Sequence, residues 1–237
     1  MWLLRRLPRR AARARGAAAI HAFEPTTSNH GLLDYGVAAL VGEAVARAGG
    51  AAAAGLSLAL YAQAVVGDAN TTWVDFGRCQ AGVERCGVAD AARGFLPATQ
   101  GDGAAIATER VRAVTLDAWA AAEGVESIDV LITDTEGMDP EALRGAAGLL
   151  ARGAVRLLEF EYHAQRAWLG TTLERVVAQL DEWGYDCAFE GAANATRLTK
   201  CWAPVFEVRR WSNVVCASRR EPALLAVLAA RTALRAY

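Results

Sequence analysis

Apolar residues recur in two rhythms along this chain. Strand-like apolar stretches stand at 17–23, 56–66, 128–134 and 155–163; of these 128–134 is near-continuous, as a strand covered on both faces requires. Between them the spacing turns helical. Leu32, Leu33, Val37, Leu40, Val41, Ala44 and Val45 share one face, and Gly49-Gly50 stops that helix. Thr115 is placed to cap a brief helix that Gly124 ends. Asp139-Pro140-Glu141 opens another with a cap, a proline at the first helical position and an acid in the first turn; it runs to Gly153. Leu173, Val176, Val177, Leu180 and Trp183 mark a further helix closed by Gly184. Residues 69–110 lack a clear period and read as a short hairpin plus an excursion. Beyond Gly184 the alternation breaks into three hairpin-connected strands, 185–189, 198–202 and 211–218, followed by a helix over 221–237.

Alternating strands and helices predict parallel strands joined by right-handed crossovers. The expected fold is therefore α/β, with a mostly parallel sheet and an antiparallel C-terminal hairpin at one edge. Neither an internal repeat nor a linker interrupts it. One domain is expected over 17–220, preceded by a basic segment, 1–16, and followed by the C-terminal helix.

Composition narrows the picture. The chain has 237 residues, 54% of them apolar, enough for a substantial core. Its net charge of −1 hides a split, since residues 1–19 carry six Arg and no acid, leaving −7 for the rest. An acidic body offers no basic surface for nucleic acid. No strongly apolar run reaches the ~18 residues of a spanning helix. The Arg-rich start fits a transit peptide or the tail of a helix, and leaves the compartment open. Five Cys are too few for a disulfide scaffold. Cys79 and Cys86 lack the spacing of a zinc pair, so no metal site is expected. Cys187 and Cys201 flank a predicted turn and could face each other, as a disulfide or as two buried thiols. No G-x-S-x-G, Walker A or G-x-G-x-x-G motif occurs, which argues against a hydrolase elbow, a P-loop and a nicotinamide oxidoreductase.

In an open α/β sheet, ligands bind beyond the carboxyl ends of the strands. Here those ends read Glu24, then Gly67-Asp68, then Asp134-Thr135-Glu136-Gly137, then Glu161-Tyr162-His163. Acids gather at one rim. A carboxylate accepts two hydrogen bonds at once, and Glu24 would suit a ribose diol. Simpler roles compete: a solvated turn for Glu24, a helix cap for Asp134, ordinary packing for His163.

Several of these segments together resemble a known family. They are Val114-Thr115-Leu116-Asp117-Ala118-Trp119, the run Ile128-Asp129-x-Leu131-Ile132-x-Asp134-x-Glu136-Gly137, then Leu143-x-Gly145-Ala146, and a strand ending in Glu161. With Ala22-Phe23-Glu24-Pro25 upstream, the set resembles the FkbM family of S-adenosylmethionine-dependent methyltransferases over about residues 17–218. The resemblance implies a Rossmann-like methyltransferase that methylates a hydroxyl of a sugar, another small metabolite or a glycan. It implies that Glu24, beside Pro25, holds the ribose hydroxyls, that Asp68 lies near the adenine, and that Asp134 faces the methyl group and substrate. It makes Glu161 or His163 the general base, with Glu136 beside them.

The chain also departs from that pattern. Such enzymes begin with a strand and a Gly-rich loop that wraps the methionine part of the cofactor. Only 23 residues precede Glu24, with Gly16 the sole glycine among them. The helix after that loop would be Pro8–Arg15, and Thr26-Thr27 stands where Asn-Pro is expected. The expectation is a truncated sheet without its first strand or loop, binding S-adenosylmethionine weakly or not at all. Either an incomplete gene model or a catalytically inactive binding module would produce it.

Overall fold

The computed structural model describes residues 2–6, 18–48, 56–78, 87–88, 107–191 and 194–232. The predicted helix at Pro8–Arg15, Cys79 and Cys86, most of the 69–110 excursion and the end of the C-terminal helix lie outside these residues.

An eight-stranded sheet forms the centre, in the order β10-β9-β11-β8-β7-β1-β2-β3. Its strands are β1 (Trp2–Arg6), β2 (Ala18–Phe23), β3 (Leu56–Tyr61), β7 (Ile128–Thr133), β8 (Val155–Tyr162), β9 (Tyr185–Phe189), β10 (Thr196–Arg197) and β11 (Ser212–Ser218). β2 pairs with β3 and β7 with β8 in parallel, as the alternation predicts. β11 runs antiparallel between β8 and β9, as expected for the C-terminal hairpin.

The centre of the sheet departs from expectation. The N-terminal residues form β1, which lies antiparallel between β2 and β7. The position between β2 and β7, expected to be empty, is thus occupied by a strand running in the opposite direction to its neighbours. Antiparallel pairing is therefore not confined to the C-terminal edge. The run 56–66 also divides at Ala62: β4 (Gln63–Val65) leaves the large sheet and joins β5 (Trp73–Gly77) and β6 (Thr108–Val114) in a small second sheet. Ala62 is compatible with either continuation, so composition carries no mark of the break.

Among the described residues, six α-helices accompany the sheets: α1 (Thr27–Ala48), α2 (Leu116–Ala122), α3 (Asp139–Gly145), α4 (Ala147–Ala151), α5 (Leu173–Glu182) and α6 (Pro222–Thr232). Thr115 caps α2 as predicted, its hydroxyl accepting from the Ala118 amide at 3.2 Å. The single helix expected over 139–153 is two, broken at Ala146. The strand expected at 198–202 does not form: β10 ends at Arg197, before it, and a turn follows at Thr199-Lys200. No described helix is long and apolar enough to cross a membrane.

The core lies on β7, β8, β9 and β11, and its largest fully buried side chains include Trp168, Tyr162, Tyr185, Phe23 and Phe160. Cys187 and Cys216 face each other across β9 and β11 and form a disulfide, with Cα atoms 4.0 Å apart. Cys201, the partner suggested by spacing, is exposed and free. Strand register, which chain separation does not reveal, chose Cys216.

Candidate functional site

The register aligns the predicted strand ends. Phe23 pairs with Tyr61, Thr133 with Phe160, Phe160 with Val214, and Val214 with Phe189. One step further along the chain are Glu24, Asp134, Glu161 and Glu190, with Asn213 opposite Glu161. They share the carboxyl edge of the sheet.

Two strand ends build the densest part of this edge. After β7 the chain turns sharply through Glu136 (φ 54°) and Gly137 (φ 94°). That turn lies against the segment after β8: the Ala167 amide donates to the Gly137 carbonyl at 3.1 Å, and the Arg166 guanidinium donates to the Glu136 carbonyl. A Cβ on Gly137 would stand 2.9 Å from both the Gln165 carbonyl oxygen and His163 Cε1. The glycine of the D-x-E-G motif is thus required twice, by its φ and by this close approach. Gly137→Ala is expected to cost about 2–3 kcal/mol in urea unfolding, and a loss under 0.5 kcal/mol would contradict the close approach.

Glu161 and His163 emerge from β8. His163 is fully buried, stacked on Trp211 with ring centroids 4.5 Å apart. Its Nε2 stands 3.3 Å from Glu161 Oε2, whose side chain keeps 15% of its surface exposed. Neither His163 nitrogen nor Glu161 Oε2 completes a hydrogen bond within the protein. Burial pushes the Glu161 carboxyl up to about 7, helped by the charges of Asp134, Asp139 and Glu136. Burial also lowers the His163 pKa, reinforced by the Arg166 charge. Near neutral pH the pair therefore holds a neutral imidazole beside a carboxyl poised to gain or lose a proton.

The predicted site residues thus divide. Asp134, Glu136, Glu161 and His163 come together. Glu24 lies on the same edge beyond β1, with one carboxylate oxygen accepting from the Thr26 amide at 3.0 Å and the Thr26 hydroxyl at 2.7 Å. Pro25 follows it, half-buried, ahead of α1. Asp68 is apart from them, exposed in a turn after β4, where it accepts from the Asn70 amide at 2.9 Å.

Asp139 corrects the sequence reading. It does not cap α3; it is the first helical residue, after Met138, and is fully buried. Its Oδ1 accepts from the Thr133 hydroxyl at 2.8 Å and lies 3.5 Å from the Glu161 amide nitrogen. Burial raises its pKa to about 7, against the hydroxyls of Thr133 and Thr135. Sequence reasoning also missed Trp168, whose Nε1 donates to the Glu161 carbonyl at 3.0 Å, and Arg166. An Asp before Pro opens many helices, so only its burial distinguishes this one.

A family model for the methyltransferase FkbM domain matches residues 6–187. The chain belongs to the FkbM methyltransferase family. No match was found among curated proteins or solved structures. The matched span contains the acidic edge from Glu24 to His163 and reaches into β9. The glycines of the family-like segments have structural reasons here: Gly137 admits the segment after β8, and a Cβ on Gly145 would stand 2.1 Å from the Val66 carbonyl oxygen.

The family generally uses S-adenosylmethionine, and this FkbM chain fits it in part. The acidic edge suits a cationic sulfur, and Glu24 keeps one carboxylate oxygen clear of its bonds to Thr26. The centre of the sheet suits it less. β1 runs away from the acidic edge, with Trp2 beside Phe23 and Arg6 beside Ala19.

Proposed function

We propose that this FkbM protein transfers a methyl group from S-adenosylmethionine to a hydroxyl of a small metabolite or glycan, with Glu161 as the general base. The reading is carried by the Glu161–His163 pair: polar atoms with unfilled hydrogen-bonding capacity, at the carboxyl edge of the sheet, in an acidic surround. When bound, the cofactor supplies an electrophilic methyl group on a positively charged sulfur. Glu161, the partly exposed member of the pair, would take the proton that the acceptor hydroxyl loses on methylation. His163, sealed beneath Trp211, holds Glu161 from behind. Asp134 would face the sulfonium, and Glu24 would accept from the ribose hydroxyls. Asp68 would stand near the adenine. An open hollow of about 470 Å³, lined by Glu190, Gly191, Ser212, Arg231, the Trp211 that stacks on His163 and the Asn213 that pairs with Glu161, would receive the acceptor.

A base must be ionised to act, so turnover should rise as pH passes through about 7. Glu161→Gln should remove that rise and cost about 10²–10⁴-fold in rate with the cofactor affinity unchanged. Titration calorimetry with S-adenosylmethionine on the full chain, beside Glu24→Ala, tests the cofactor site. Heat that weakens in Glu24→Ala supports the proposal.

One observation favours a second reading. β1 runs antiparallel between β2 and β7, away from the acidic edge, where a parallel strand would carry its following loop to that edge. A non-catalytic module with this fold would give no heat with S-adenosylmethionine, and that result would replace the first reading.

A further inference from the structure

We propose that Asp139 is a positioning residue that ties the two strand ends of the site together and thereby sets Glu161 against His163. The proposal rests on the reading of Glu161 as the working base.

The geometry carries it. A carboxylate on the first turn of α3 is sealed from solvent and spends one oxygen on both neighbouring strands. From β7 it accepts the Thr133 hydroxyl; on β8 it approaches the amide of Glu161 itself. β7 and β8 are already paired through Thr133 and Phe160, so Asp139 adds its link one residue beyond the last ladder pair. There the chains must separate to form the acidic turn and the His163 segment. Without that link, the Glu161 backbone would be held at this point by Asn213 across β11 and by Trp168 at its carbonyl.

A fully buried carboxylate is an expensive way to join two strands. A serine or an asparagine could accept the same hydroxyl without the burial cost of a charge. Asp139 also lies near enough for its charge to act on the Glu161 carboxyl, together with those of Asp134 and Glu136. One residue thus fixes where Glu161 stands and influences when it ionises. The other groups facing Glu161 are the His163 ring and the Trp211 side chain.

The test is a carboxyl- and imidazole-resolved NMR titration of the full chain, without cofactor, in wild type and in Asp139→Asn. The Glu161 midpoint should fall by about one pH unit in Asp139→Asn. The His163 ring signal, set by stacking on Trp211, should shift. A variant that is merely less stable, with both signals unmoved, would overturn the proposal. Should Asp139→Asn fail to fold, Thr133→Val removes the hydroxyl partner instead; a moved His163 signal supports the proposal and an unmoved one overturns it. None of these signals requires S-adenosylmethionine. Failure of the methyltransferase reading and failure of this proposal are therefore separately visible: calorimetry reports the first, NMR the second.

Discussion

Replacing Trp168 with alanine is expected to lower the unfolding free energy by about 3–5 kcal/mol. The indole is fully buried and sits among aromatic neighbours, edge-on to Tyr162 with centroids 4.9 Å apart and stacked with Phe160 at 6.1 Å. Truncation removes those contacts and leaves a cavity in the core. It also strands the Glu161 carbonyl, which accepts from the indole Nε1. Urea unfolding measures the loss, and a change below 1 kcal/mol would contradict the packing described. Trp168→Phe separates the two contributions. It retains most of the ring and loses the hydrogen bond, so about 1 kcal/mol should remain. Because the bond reaches Glu161, both variants should also disturb the site in proportion to the loss of the indole N–H.

The second large effect concerns pH. Asp139 has a folded pKa of about 7, against an ordinary 3.8. Below pH 4 both folded and unfolded chains carry it protonated, and its contribution is at its most favourable. Between pH 4 and 7 the unfolded chain releases the proton while the native state keeps it, so stability falls as pH rises. Above 7 both are ionised and the loss is complete. Spread over about three pH units, the loss approaches 4 kcal/mol. Asparagine carries no proton to lose. Asp139→Asn should therefore gain on wild type as pH climbs from 4 to 8, approaching or passing it. Glu161 contributes in the same direction, with its carboxyl also raised to about 7. His163, whose pKa burial lowers, works the other way and loses stability as pH falls through its ordinary value. The difference between the two denaturation curves therefore reports Asp139 together with the lowering of the Glu161 midpoint in the variant, which acts in the same direction. A difference flat across pH 4–8 would show that this carboxyl titrates normally.

Features written locally were the legible ones. Thr115 stands directly before an apolar helical repeat, and its cap follows from that placement. The stretch 128–134 is apolar enough to be identified as a doubly covered strand, and 155–163 is legible as the next strand. The carboxyl ends of those strands then located Asp134, Glu136, Glu161 and His163 together. Features decided by distant chain were not legible. Asp139 has the local signature of a cap, and only the approach of β8 turns it into a buried clamp. Cys187 met Cys216 rather than Cys201 because β9 and β11 are neighbours in register. The 198–202 run is apolar at its ends, but the turn at Thr199-Lys200 takes it out of the sheet. Nothing in an Arg-rich, acid-free start suggests a strand, since its pairing surfaces are supplied by β2 and β7. The division at Ala62 has the same cause: β6 lies far along the chain and captures β4.

The central strand has a consequence for biosynthesis. Among the described residues, β1 alone hydrogen-bonds both halves of the large sheet, pairing Leu3 with Ala22 on one side and with Ile132 on the other. The first pairing needs only the next few residues to leave the ribosome. The second must wait until β7 has been made, roughly ten seconds later at ordinary translation rates. Throughout that interval the nascent chain carries an open strand edge that any passing β-segment could occupy.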